Sequence, residues 1–558
     1  MTDAAAAFAA AAATALSDAL EANPIRASIL GRHDWDDRLP DPSAAAADDR
    51  LRDVRSALAA LDAVPSEDLD AADGIDIEIL RTALAAEMVA HTQLDDAAWN
   101  PMVHNPGRGI NVLLARDFAP LPQRLASIAG RLAATPEYLA AARRRLTGPI
   151  PRVHAQTALG QFRGTLALLD REVPAAARAA EAAGGAPPEL EPALAAGREA
   201  ITEHLAWLDA QAESAAGSAR LGPERYAAKL WLTLDTPLDP AGLLARAQTD
   251  LDRVSEQIAD EAGRLAGSAD PGGGTVRAVL DRLGDDAPDD ATILPSARDA
   301  LREAIAFTRA HELVTVPDDL EAMIEVIEMP EIDRGLAVAH CRPPGPLESA
   351  PLPTLFAVSP APAAWPAART ASFFREYNHH LLRDLAVHEG VPGHALQMAH
   401  SRAYRGRTEV RRVYGSGTFT EGWAVYAEQL AAEHGFRSDL SPELGAALRI
   451  QQLKMQLRMI INAILDVRFH TGDLPEGEAM RLMMDRGFQE EGEAAGKWRR
   501  VQLSSTQLST YYVGYVEIRD IADGLRAERP EATERERHDA MLAHGSPAPR
   551  HLRTALAQ

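Results

Sequence analysis

The chain has 558 residues, with 57 Lys and Arg against 81 Asp and Glu for a formal charge of −24, and a single cysteine. One cysteine, Cys341, excludes a disulfide framework, a cysteine-rich zinc module and an iron–sulfur cluster. The acidic surplus argues against nucleic acid and against an anionic membrane as partners, and the length implies two or more domains.

Residues 4–16 are apolar, but they follow an acidic Met-Thr-Asp start and run on into Asp18, Leu20 and Glu21 as an amphipathic helix. A secretory signal begins with positive charge. No charge-free apolar stretch of about 20 residues is apparent, so no membrane span is expected. Together with the free cysteine, these features predict a cytoplasmic protein.

Apolar residues then recur at three- and four-residue spacing over 43–64, 66–94, 121–146, 189–214, 240–265 and 297–313, which predicts helices. Pro149, Pro151, the 184–188 Gly/Pro cluster and Gly272 to Gly274 mark breaks. From 321 to 366 prolines crowd the chain. The β-like runs 335–341 and 354–358, with 322–328 as a third, predict a small sheet there. Helices resume over 373–387, around 422–432, and over 447–470, 475–490, 495–525 and 534–543. The expected organisation is a helical lobe over 1–315 and a second lobe over 316–558 that contains the Pro-rich β region.

The sharpest chemical signal is His388-Glu389-Gly390-Val391-Pro392-Gly393-His394. Two imidazoles and a carboxylate within seven residues suit zinc, with Glu389 placed to take a proton from water. Histidines four apart lie about 40° apart round a helix; six apart, they lie about 120° apart. Pro392 has no N–H to bond His388 and its ring clashes there, so the helix must kink or widen, which can return His394 to the face of His388.

A third ligand is needed, and Gly415-Ser416-Gly417-Thr418-Phe419-Thr420-Glu421-Gly422-Trp423-Ala424-Val425-Tyr426-Ala427-Glu428 offers one, although taken alone its glutamates read equally as two solvated carboxylates on an amphipathic helix. Thr420 is the predicted N-cap. Glu421 is the candidate ligand, and Glu428, seven residues on and on the same face, is a carboxylate able to orient a histidine ligand. His380, Asp384 and His388 fall at i, i+4 and i+8, so Asp384 either accepts the ring proton of His388 or pairs along the helix.

These segments resemble the DUF885 family of bacterial proteins, whose pattern is H-E-x-x-P-G-H followed by E-G-W-A-x-Y-x-E. His388, Glu389, Pro392, Gly393, His394, Glu421, Gly422, Trp423, Ala424, Tyr426 and Glu428 all match. Pro24, Gly31, His33 and residues 37–43 echo the family's opening, and Arg500 with residues 507–514 is similar to its C-terminal block. Ser505-Thr506 stand where the family usually has Pro-Gly, and Tyr512 where Lys is common.

The resemblance implies a mainly α, two-lobed, zincin-like metallopeptidase fold with a deep central cleft and a small β-sheet. It implies zinc as cofactor and a short peptide or peptide-like small molecule as substrate. Tyr511, Tyr512 and Tyr515 are candidates to steady an oxyanion, Tyr511 being the one at the family position. Arg500 or Arg519 would bind a substrate carboxylate, and Tyr512, His379 and His380 are further polar candidates at the cleft.

The expected activity is zinc-dependent hydrolysis of peptide or peptide-like amide bonds. The alternatives are hydrolysis of a non-peptide amide, or a non-catalytic helical binding protein with a vestigial metal site. Retention of Glu389 weighs against the last, since a purely structural site has no use for a base.

Overall fold

The computed structural model describes residues 2–181, 184–268, 272–330, 338–362 and 365–557. Helix α1 (Asp3–Ala22) starts where the Thr2 hydroxyl accepts the Ala5 N–H at 3.1 Å. Its Phe8, Ala12, Leu16 and Leu20 are buried against α2 (Ala44–Asp62) and α3 (Ala71–Val89). By length and composition α1 is long and apolar enough to cross a membrane, contrary to expectation, because its few charges sit near its two ends.

Further on, α4 (Leu121–Arg145), α5 (Arg152–Ala180) and α6 (Leu190–Ser214) close a core around Ile128, Leu132, Phe162, Leu169, Leu194 and Ile201. The sequence reading did not predict α5, because Gly160, Gly164 and Pro174 interrupt its pattern. Each fully buried Phe162 or Leu169 contributes about 1.5–3 kcal/mol, which outweighs the propensity cost of a glycine, about 1 kcal/mol.

The chain separates into two compact units. One comprises residues 1–219, 344–352 and 406–414; the other comprises 220–343, 353–405 and 415–558. The expected boundary near 315 is not where they divide. Helix α7 (Pro240–Ala266) turns Leu243, Ala247, Leu251, Val254 and Ile258 inward and packs on a C-terminal helix, which draws the region after 220 into the second unit.

Within the first unit, the family-like opening forms a clasp. The two ring nitrogens of His33 meet Asp36 Oδ2 at 2.8 Å and Glu348 Oε2 at 2.9 Å, and the ring stacks on Phe118 at 3.8 Å. Gly31 has φ +86°, and a Cβ there would strike the backbone of Glu348.

The second unit continues with α8 (Ile293–Ala310), then the sheet of β1 (Ile324–Glu328), β2 (Ala339–Arg342) and β3 (Thr354–Val358). Among the described residues β3 is central, parallel to β1 and antiparallel to β2. β3 has the bounds predicted for it. Of the predicted run 335–341, residues 335–337 lie outside the described residues.

The predicted 373–387 helix is two, α9 (Ala367–Glu376) and α10 (His379–Glu389). Asn378 caps the second by accepting the His380 and Leu381 N–H groups. There follow α11 (His394–Ala403), α12 (Gly417–Glu433) and α13 (Pro442–Thr471), the last of these packing against α7. The predicted 495–525 helix is also two, α14 (Glu491–Leu503) and α15 (Ser509–Glu528), and α16 (Glu534–Leu542) and α17 (Pro549–Leu556) follow. The architecture is mainly helical with one small three-stranded sheet among the described residues, as expected.

Candidate metal centre

Between α10 and α11 the backbone spacing widens. Val391 N–H bonds Ala386 O five residues back, Gly393 N–H bonds Val387 O six back at 3.0 Å, and Leu396 N–H bonds Gly390 O six back. The expected widening is therefore present, but it divides the segment: His388 ends one helix and His394 begins the next. Gly393 is required by close approach, since a Cβ there would collide with the carbonyl oxygens of His388 and Val387. Trp423, fully buried, donates its indole N–H to Pro392 O at 2.7 Å and fixes the turn to α12.

Helix α12 starts one turn before the predicted cap. Ser416 accepts the Phe419 N–H, while Thr420 donates its hydroxyl back to Ser416 O, so Glu421 lies inside the helix rather than at its first residue. Gly422 and Gly514 let α12 and α15 touch backbone to backbone; a Cβ on either would collide with the other helix.

These contacts bring the three candidate ligands together. One ligand atom from each of His388, His394 and Glu421 lies within 4.8 Å of the others. Glu421 Oε2 is 3.5 Å from His394 Nε2 and 3.7 Å from His388 Nε2, and it has no hydrogen-bond partner although buried. Ligand atoms on a tetrahedral zinc, at bonds of about 2.0–2.1 Å, stand about 3.3–3.4 Å apart. The donor set and its spacing fit such an ion.

Glu428 is buried with Oε1 2.5 Å from Nδ1 of His388, which leaves Nε2 to face Glu421. Burial opposes ionisation here. Even so, the neighbouring Glu421 and Glu428 carboxylates hold the His388 pKa well above its ordinary value, and the two histidines hold the Glu421 carboxyl well below its own. The surroundings thus favour a positive charge at this point.

Asp384 does not take the ring proton of His388, because Glu428 already does. It is buried with Oδ2 unpartnered, and burial beside Glu428 pushes its pKa well up. Glu389 Oε2 accepts the Cys341 N–H at 2.7 Å, which sets the edge of β2 beside the expected base. This was missed from sequence: the contact uses main chain, and Cys341 itself carries no motif.

The family model of DUF885, bacterial protein of unknown function, matches residues 24–556. The chain belongs to the DUF885 family. No curated protein matches it. Solved structures do, these two among them. One, a candidate lipoprotein of unknown function from Shewanella oneidensis, is 28% identical over 99% of this chain and 100% of its own, with a TM-score of 0.83. The other, a candidate lipoprotein from Colwellia psychrerythraea, is 15% identical over 99% and 98%, with a TM-score of 0.79, and shows the shared fold. The cytoplasmic expectation is corrected by these relatives, since lipoproteins are held at membranes by a lipid anchor. A signal sequence passes the same test of length and apolarity as α1.

Other residues singled out by the DUF885 resemblance lie away from the candidate ligands. Tyr426 OH lies 2.9 Å from Nε2 of the buried His538 on α16, whose Nδ1 bonds Leu313 O at 2.7 Å; this is structural support. Thr506, where the family usually has Gly, has φ +66°, the left-handed region that glycine favours, and Asp466 accepts its N–H.

The C-terminal tyrosines divide by burial. Tyr512 is fully buried with its OH donated to Asp250 at 2.6 Å, so it is a core residue and not part of a substrate wall. Tyr515 is buried and bonded to Gln429 and Gln456, and Arg519 is engaged with it. Tyr511 remains partly exposed. Its OH accepts from Arg500 Nη2 and Gln507 Nε2, both at 3.4 Å, and so keeps its own proton to donate. Arg500 thus belongs with Tyr511. His380 does not join the ligands: it lies at the start of α10, about 12 Å along the helix from His388.

Proposed function

We propose that this DUF885 protein is a zinc-dependent hydrolase of peptide or peptide-like amide bonds in short substrates, on a two-lobed, zincin-like helical fold. The observation that carries the reading is the convergence of His388, His394 and Glu421 on one point, with Glu389 next in sequence to the first ligand. A zinc ion held by those three would polarise a substrate carbonyl and lower the pKa of water.

The remaining work falls to side chains. Glu389 takes the proton of the attacking water and returns it to the leaving nitrogen, so that amide and water become carboxylate and amine. Glu428 fixes the ring of His388 through Nδ1. Tyr511 donates its hydroxyl proton to the developing oxyanion, and Arg500 beside it binds a substrate carboxylate.

The test is digestion of a defined mixture of short peptides by zinc-loaded wild type and Glu389→Gln, followed by mass spectrometry. Wild type should cleave, and Glu389→Gln should lose about 10²–10⁴ in rate while keeping its zinc. Zinc in both proteins with no cleavage by either would defeat the peptidase reading.

A further inference from the structure

The chain writes its cations almost entirely as arginine: of 57 basic residues only Lys229, Lys454 and Lys497 are lysines. All three belong to the second unit, and none is exposed. A lysine kept against that background suits a task closed to a guanidinium, either that of a compact point charge or that of an amine able to lose its proton. The first explains Lys229, whose Nζ donates to Ser505 Oγ at 2.7 Å, and Lys454, whose Nζ lies 2.8 Å from Glu376 Oε2. Lys497 is different. It shares one face of α14 with Glu493 and Arg500, and it makes no hydrogen bond or ion pair with any described residue, although only 6% of it is exposed.

Its surroundings are short of negative charge. Among the described residues the nearby carboxylates are already committed, Glu376 to Lys454, and Glu493 to Arg458 and the Tyr377 hydroxyl. Arg500 meets no carboxylate there; its Nη2 donates to Gln507 and Tyr511. Burial, with the guanidinium groups of Arg458 and Arg500, pushes the Lys497 amine well below its ordinary pKa against the pull of Glu493. An ordinary lysine is a free amine in only about one molecule in 10³ at neutral pH. Lys497 holds far more of that nucleophilic form. The cluster is not sealed either, since the side chains of Arg458 and Glu493 are 14% and 24% exposed.

A free amine between two guanidinium groups, with too few carboxylates to serve them, favours a carbamate. Carbon dioxide is small and uncharged, so a narrow opening admits it. The Nζ lone pair bonds its carbon, one C=O electron pair moves onto oxygen, and the proton displaced from nitrogen passes to solvent. Amine and carbon dioxide thus become an N-carboxylate and a proton, with nothing oxidised or reduced. The product supplies the missing negative charge: Glu376, Glu493 and the carbamate then match Lys454, Arg458 and Arg500.

We propose that Lys497 is a carbon dioxide modification site, carried as a carbamate held by Arg458 and Arg500. Arg500 has five N–H donors, enough to hold the carbamate and still turn an edge towards a substrate. The modification involves none of the candidate metal ligands and does not depend on the chemistry proposed for them.

Carbon-13 NMR of the full chain in ¹³C-labelled bicarbonate at neutral pH tests it. A carbamate resonance should appear, vanish on acidification and return at neutral pH. It should be lost in Lys497→Arg and Lys497→Met and kept in Lys229→Arg and Lys454→Arg. Ethylation of wild type with triethyloxonium, followed by peptide mass mapping, should place an ethyl carbamate on Lys497, and this decides the matter if the Lys497 variants do not fold. No carbamate resonance, a resonance that survives in both folded Lys497 variants, or a trapped adduct confined to other amines would each overturn the proposal.

Discussion

His33 and His388 are both imidazoles set between carboxylates, one in each compact unit, and the contrast between them defines the candidate site. Around His33 every polar atom is used. Its two nitrogens meet Asp36 and Glu348, Asp36 also accepts the Ser28 hydroxyl, and Glu348 also accepts the Ala350 N–H. Around His388 the pattern stops short. Glu428 takes Nδ1, but Nε2 faces a buried Glu421 oxygen that no hydrogen bond satisfies and that His394 approaches from another side. Similar residue types give a closed clasp in one place and an open, cation-seeking centre in the other, and the difference lies in the lone pairs left over.

The largest effect that sharpens this contrast is on metal affinity. Glu421→Ala should abolish stoichiometric zinc binding, and Glu428→Gln should weaken it by about 10–100-fold, whereas His33→Ala should leave it unchanged, as read by competition with a chelating dye. Zinc loss from His33→Ala would erase the distinction. Next in size is stability: His33→Ala strands two buried carboxylates and should cost about 3 kcal/mol in urea denaturation, with or without metal.

The smallest effect is on pH. Burial opposes the charge on His33, but the bonds to Asp36 and Glu348 raise its pKa above the ordinary 6.5. A raised histidine pKa gives stability that is complete below about pH 6.5 and is lost as pH rises through the folded value. The urea midpoint should therefore fall between neutral and alkaline pH in wild type, and this component of the fall should vanish in His33→Gln. An unchanged slope in the variant would remove His33 as its source.

The legible parts of the sequence were those whose chemistry is local. Pro392 inside a histidine pair announced the widened turn, and the period of 121–146 announced α4 almost to the residue. What stayed hidden depends on partners far along the chain. Tyr511 and Tyr512 are adjacent, and only packing shows that one faces outward while the other donates to Asp250, 262 residues away. The Cys341 amide on Glu389 is main chain and leaves no trace in side-chain patterns. Helix α5 was obscured by glycines and a proline that tertiary burial overrides. The membership of 344–352 in the first unit rests on Glu348 meeting His33 across 315 residues.

The most direct measurement of the central claim is the metal content, by inductively coupled plasma mass spectrometry, of the purified chain exposed to zinc and then desalted. Wild type and His33→Ala should each carry one zinc per chain, and the paired substitution His394→Ala with Glu421→Ala should carry none. Wild type without zinc, or a paired variant that keeps it, would contradict a metal centre at His388, His394 and Glu421.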